Sequence, residues 1–273
     1  MAGYHSPPVD RSYQSTSFRV SEIEHRYGRE VHLVDNPLAL TLLAELSDER
    51  TVQPAVTRIL RRLYDQLART ALAAELPRAN VSVRTRMGAD WEGVGIDRRT
   101  KAVTVAIARA GTVPSQICFE LLTEILEPAG VRQDHVFMAR QVDPHGRVTG
   151  STLHESKIGG DVDGRLVLLP DPMGATGGSL CKALAHYAAD VAGTPLARVS
   201  LNLIVTPEFV RRVTAEHPGT RIWAFRLDRG LSDPDVLASV PGTFPDRERG
   251  LDGRQYIVPG AGGLGELLNN SWV

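Results

Sequence analysis

The sequence predicts an α/β protein with a mostly parallel sheet flanked by helices. Three observations predict it. Short apolar runs of strand length alternate with amphipathic stretches of helical period, the pattern of right-handed crossovers between parallel strands. One apolar run leads directly into a Gly-rich turn and then a helix, Arg165 to Leu180. The chain has 273 residues, 42% of them hydrophobic, enough for a sizeable core.

The elements follow in chain order. Residues 1–30 are rich in Ser, Tyr, Arg and Pro with little periodicity. They read as an N-terminal arm, either a loose terminus or a segment packed on a partner subunit. From Pro37, Leu38, Leu42, Leu43 and Leu46 predict one helix face. A longer helix follows over 54–76, with Val56, Ile59, Leu60, Leu63, Leu67 and Leu72 on one stripe. Arg58, Arg61, Arg62 and Arg69 form its solvated face. Strands are predicted at 103–108, 135–139, 166–169, 199–205 and 222–225, with helices at 114–126, 178–191 and 207–216. Two segments interrupt the alternation. Polar, Gly-containing 141–160 reads as a strand pair or flap. Residues 231–249, with three prolines, read as a surface insertion.

Composition excludes several classes. Lys and Arg number 31 against 32 acidic residues, for a net charge of −1. That argues against a nucleic-acid protein working through bulk basicity. Cys118 and Cys181 are too few for a disulfide framework or a cysteine zinc site. The eight histidines show no His-x-x-x-His spacing, so no dedicated protein metal site is expected. No apolar run reaches the roughly 20 residues of a membrane span. The reading is a soluble, cytoplasmic protein. Trp91, Trp223 and Trp272 read as core or interface residues, His217 and Cys181 as structural, and His154, Glu155 and Lys157 as solvated.

The chemistry concentrates in Asp171-Pro-Met-Gly-Ala-Thr-Gly-Gly-Ser179. Backbone amides and a helix N-terminus converging after a strand suit a phosphate, because unpaired amides and the helix dipole both favour an anion. Thr176 and Ser179 add hydroxyl donors. Asp171 stands where open α/β sheets bind ligands and suits the hydroxyls of a sugar. The stretch is neither a Walker loop nor a dinucleotide fingerprint. A generic Gly-rich turn is the alternative, against which the ordered strand, carboxylate, Thr-Gly-Gly-Ser and helix weigh.

These residues resemble the PRPP loop of uracil phosphoribosyltransferases, Asp-Pro-Met-Leu-Ala-Thr-Gly-Gly-Ser. The resemblance continues from Val34 to Leu268. Leu46-Ser-Asp-Glu-Arg-Thr51 is similar to the family's Leu-Arg-Asp-Lys-x-Thr. Arg109-Ala-Gly111 is similar to its Leu-Arg-Ala-Gly turn, and Arg140 to its Tyr-Arg. Pro207-Glu208 resembles Pro-Glu-Gly, and Tyr256-Ile-Val-Pro-Gly260 its Tyr-Ile-Val-Pro-Gly.

The resemblance implies a type I phosphoribosyltransferase fold over 34–273, with a flap or hood and an N-terminal helical segment. It implies transfer of 5-phosphoribosyl from PRPP to a planar nitrogen acceptor, uracil giving UMP, in pyrimidine salvage. Asp171, Arg109 and Arg140 are its expected catalytic residues. PRPP is expected on Asp171, Pro172, Met173, Gly174, Ala175, Thr176, Gly177, Gly178 and Ser179, with Arg109 and Arg140 on the pyrophosphate. The acceptor is expected beside Met173 and Ala175, its edge read by the main chain of Tyr256, Ile257, Gly262, Gly263 and Leu264. Mg²⁺ is expected on the pyrophosphate, and a homodimer or higher assembly as the working unit.

The departures are equally specific. Ser47 stands for the family's arginine, Gly174 for its loop leucine, and Gly263 for a carboxylate near the base, Glu266 being the next one. Smaller residues at 174 and 263 point to room for a larger acceptor, or to compensation by neighbours. A non-uracil acceptor, or a PRPP-binding regulator of weak activity, are the corresponding alternatives.

Overall fold

Among the described residues, eight strands form one sheet in the order β1-β10-β9-β7-β4-β5-β6, with β8 paired to β9 at its side. The computed structural model describes residues 10–15, 17–142 and 148–271, and only the backbone along 139–142 and 148–151. The strands are β1 (Val31–Leu33), β4 (Ala102–Ala108), β5 (Val131–Val142), β6 (Val148–Lys157), β7 (Leu166–Pro170), β8 (Met173–Gly174), β9 (Ala197–Val205) and β10 (Thr220–Leu227). Every pairing is parallel except β5 with β6. A separate antiparallel hairpin joins β2 (Arg78–Arg84) to β3 (Asp90–Ile96). The mostly parallel α/β fold expected from the alternation is present.

Parallel strands buried on both faces read as unbroken apolar runs, and all five residues of β7 are buried. Alternate side chains go to opposite cores. Leu166 and Leu168 join the core under α1 (Pro37–Ser47), α2 (Ala55–Glu75) and α3 (Thr112–Ile125), whereas Val167 and Leu169 join that under α4 (Gly178–Asp190) and α5 (Pro207–Glu216). The stripe predicted on α2 is buried and its four arginines are exposed. On α1 the buried face is Ala39, Leu43 and Leu46, while Leu38 is 62% exposed. Asn36 caps this helix, its side chain accepting from the Ala39 amide, which sets the phase and turns Leu38 outward.

Helices α3 and α4 follow the neighbouring strands β4 and β7 yet lie on opposite faces of the sheet. The carboxyl ends of β4 and β7 therefore form a switch point, the crevice where open α/β sheets hold ligands.

The β2–β3 hairpin and the three-residue β1 were not among the expected elements. Within 141–160, expected as a strand pair or flap, lie β6 and the end of β5, which extends the strand expected at 135–139; residues 143–147 are outside the described residues, as are 1–9, 16 and 272–273. The excursion at 231–249 leaves and returns at one place, the Leu231 amide donating to Arg249 O at 3.0 Å. It contains a short helix, α6 (Pro234–Leu237). The final helix is α7 (Leu264–Asn269). Among the described residues, no helix is long and apolar enough to cross a membrane.

Candidate active site

The loop after β7 holds its carbonyls against β9 and Thr206. Asp171 O accepts from Asn202 Nδ2 at 2.6 Å, Pro172 O from the amides of Leu203 and Ile204, Gly174 O from the Thr206 amide, and Ala175 O from Thr206 Oγ1 at 2.6 Å. Gly177 adopts φ +74° at the start of α4, a conformation that strains any other residue. Thr176 Oγ1 accepts from the Gly178 amide at 3.2 Å. Among the described residues, no protein group accepts from the amides of Thr176, Gly177, Ser179 or Leu180. The anion cradle expected from the sequence falls on these amides, at the N-terminus of a 13-residue helix.

Asp171 faces the same crevice. Its Oδ1 accepts from the Met173 amide at 3.2 Å, which aims the carboxylate. The Arg109 turn lies beside it. A Cβ on Gly111 would come within 2.8 Å of Pro170 O, so glycine lets the end of β4 abut the residue that precedes Asp171. Arg109 is thus brought to the crevice, where Nη1 donates to Ser271 Oγ at 3.0 Å and Nη2 lies 3.7 Å from Glu266. Arg140 lies on β5 opposite Ser151. Its side chain, and with it the predicted pyrophosphate contact, lies outside what the structure describes.

Tyr256 to Leu264 passes the neck of the 231–249 excursion. Val258 N donates to Gly250 O at 2.8 Å, Gly230 N to Val258 O at 3.1 Å, and Leu251 bridges Ile257. Ile257 and Leu264 bury their side chains in the core. At these two positions the loop presents main chain rather than side chain. Asp228, itself buried, accepts from the Gly260 amide at 2.7 Å, and Arg226 donates to both Asp228 and Gly260 O. This pair clamps the loop from the end of β10, and sequence reasoning missed it.

The structure corrects the expectation of extra room. The space at Gly174 is filled by Phe209, which is buried: a Cβ there would meet Phe209 and Val205 at 3.0 Å. The space at Gly263 is filled by the Glu266 carboxyl group, and a guanidinium reaches Ser47 from Arg226, 3.3 Å from its Oγ. Each departure has a neighbour supplying the missing bulk or charge. Gly174→Leu is therefore expected to overpack the loop and cost about 1–3 kcal/mol. Thermal unfolding would show it as a fall in Tm of roughly 2–10 °C.

The remaining candidates fall outside the crevice. Trp223 is core and Trp91 is 40% exposed. His154, Glu155 and Lys157 are exposed, the last two paired at 2.9 Å. Cys181, Glu216 and His217 converge, their ligand atoms within 4.8 Å of one another, a grouping the sequence spacing did not show. Glu216 is engaged by Arg212 at 2.8 Å, and burial pushes the Cys181 thiol up to about 12.

A family model described as Uracil phosphoribosyltransferase matches residues 33–248. Uracil phosphoribosyltransferase 1 of Schizosaccharomyces pombe is 31% identical over 192 residues, 70% of this chain and 73% of its own. The uracil phosphoribosyltransferase of Renibacterium salmoninarum is 29% identical over 242 residues, 87% of this chain and 97% of its own. Among solved structures, the AQ2163 protein of Aquifex aeolicus shares the fold with a TM-score of 0.68 at 22% identity, over 89% of this chain and 99% of that one.

Proposed function

The chain belongs to the uracil phosphoribosyltransferase family, and from this premise we propose that it transfers the 5-phosphoribosyl group of PRPP to uracil, giving UMP and pyrophosphate. The observation that carries the reading is the crevice between β4 and β7, where loop amides, an aimed carboxylate and Arg109 meet. The amides from Thr176 to Leu180 and the hydroxyls of Thr176 and Ser179 hold the 5-phosphate. Asp171 accepts from the ribose hydroxyls. Arg109 and Arg140 hold the pyrophosphate, a task suited to a planar, permanently charged guanidinium. Met173 and Ala175 flank the base, and the main chain of Tyr256, Ile257, Gly262, Gly263 and Leu264 reads its edge.

In the reaction the C1′–O bond to pyrophosphate breaks and its electron pair leaves with pyrophosphate. The acceptor nitrogen bonds to C1′ and loses its proton. Positioning and charge stabilisation supply most of the acceleration in such a displacement. The protein donors fit a Mg²⁺ brought by PRPP, since Asp171 offers a hard oxygen and the amides and Arg109 address phosphate oxygens rather than a metal. Bound there, Mg²⁺ would neutralise the leaving pyrophosphate. A cytoplasmic homodimer belongs to the same proposal, supported by the exposed apolar residues Val83, Met87 and Trp91 of the β2–β3 hairpin. Light scattering after size exclusion tests the assembly.

The deciding experiment is pyrophosphate release from PRPP and Mg²⁺ with uracil, then with a panel of other bases. Release with uracil, matched by UMP, is the expected result. Release only with another base would reassign the acceptor. Binding of PRPP without release would overturn the reading in favour of a regulatory protein.

A further inference from the structure

Glu266 is a largely buried carboxylate, 19% exposed, to which the roles above assign nothing. It stands at the meeting of three segments of the crevice. Its Oε1 lies 3.7 Å from Arg109 Nη2. Its Oε2 lies closer than 3.0 Å to the point where a Cβ on Gly263 would stand, and its Cδ at 3.2 Å. The carboxyl group thus occupies the volume of a side chain at position 263, inside the loop that reads the acceptor.

The local backbone delivers it there. The Glu266 amide donates to Gly263 O at 3.1 Å, folding the first turn of α7 back onto the loop. That turn lies beside the Arg109 turn: a Cβ at Gly265 would stand 3.7 Å from that of Ala110, an ordinary contact distance. Two glycines in succession, Gly262 and Gly263, leave the loop without a side chain of its own at this point. The carboxylate comes from the helix instead.

We propose that Glu266 is a catalytic residue of the transfer, accepting the hydrogen bond of the acceptor's ring N–H and then its proton. The inference rests on the reading of the chain as a uracil phosphoribosyltransferase. As the N–C1′ bond forms, the ring N–H bond breaks and its proton passes to the Glu266 carboxylate. The C1′–O bond breaks with its electron pair on pyrophosphate, and Glu266 returns the proton to solvent through its exposed edge. Arg109, bonded to pyrophosphate and adjacent to Glu266, couples the two ends of the displacement. Positioned proton transfer of this kind contributes about 10²- to 10⁴-fold in rate.

The test moves the carboxylate between its two possible carriers. Steady-state kinetics with PRPP and uracil would compare wild type, Glu266→Gln, Glu266→Ala, Gly263→Asp and the Gly263→Asp/Glu266→Ala double variant. Glu266→Gln should lower kcat about 100-fold or more and leave the KM for PRPP within about threefold. Gly263→Asp alone should also lose activity, because it crowds two carboxylates. The double variant should recover at least about tenfold over Glu266→Ala. Gly263 has φ −81°, so an aspartate suits its backbone. Glu266→Gln within threefold of wild type, or a double variant no better than Glu266→Ala, would overturn the proposal. Failure of the underlying reading is separate and visible first, as wild-type protein that releases no pyrophosphate with uracil.

Discussion

Asp171→Asn is expected to lower kcat/KM for PRPP by about 10²- to 10⁴-fold while the protein stays folded. The estimate follows from what the carboxylate is placed to do. Hydrogen bonds to a charged group contribute about 1.5–3 kcal/mol each. A carboxylate addressing two ribose hydroxyls therefore stands for about 3–6 kcal/mol, and each 1.4 kcal/mol is about tenfold in rate. The asparagine keeps the shape and one acceptor, so the Met173 amide retains its partner at the Oδ1 position. Asp171 O still accepts from Asn202, and the loop holds its course. The measurement is initial-rate kinetics with PRPP varied at saturating uracil, alongside a melting curve. A loss under tenfold would remove Asp171 from the ribose. A large loss accompanied by a large drop in Tm would make it a structural residue instead.

The frame of the molecule was legible in the sequence because its central strands are buried on both faces. Such strands must be apolar throughout, and Leu166 to Leu169 could hardly be read otherwise. The loop proposed to hold the phosphate was legible for a related reason: an amide cradle needs glycines at fixed places, and Gly177 and Gly178 mark it. The β2–β3 hairpin was missed because most of its residues are exposed, and its half-buried apolar residues, Ala79, Val81, Val94 and Ile96, give too little alternation. Leu38 was misplaced because a leucine next to an N-cap looks like a stripe residue until the cap fixes the phase.

The compensations were the least legible part. Arg226 reaches Ser47 across 179 positions, and Phe209 fills the space at Gly174 from α5. A sequence shows the residue that is gone, whereas its replacement is a neighbour only in space. Glu266 is the intermediate case. Its proximity to Gly263 in sequence was plain, but only the backbone of α7 shows that its carboxylate folds back into the vacant volume. A missing charge in one strand of text is thus weak grounds for a missing activity.

The same lesson governs stability at the 231–249 excursion. Its prolines and acidic residues read as a solvated insertion, yet Glu248 is fully buried. A carboxylate removed from water is costly unless it is paired and hydrogen-bonded. Glu248 meets that condition with three partners from three segments. Arg229 Nη1, at the end of β10, lies 3.0 Å away, and the Gly242 amide of the excursion donates at 2.8 Å. The Tyr27 hydroxyl donates from the N-terminal segment, and burial raises its pKa, which keeps the phenol a donor in alkaline solution. Removing one member of a buried pair leaves the other charge stranded, at a cost of about 3–5 kcal/mol. Glu248→Ala should therefore lower Tm by about 6–15 °C, and the exposed Asp246→Ala should leave it within about 2 °C. Equal and small effects of the two would return the excursion to the status of a solvated loop. A large effect of Glu248→Ala alone would make it part of the folded core, and because its neck pairs with Gly250, Leu251 and Val258, the KM for uracil should rise in Glu248→Ala more than the KM for PRPP.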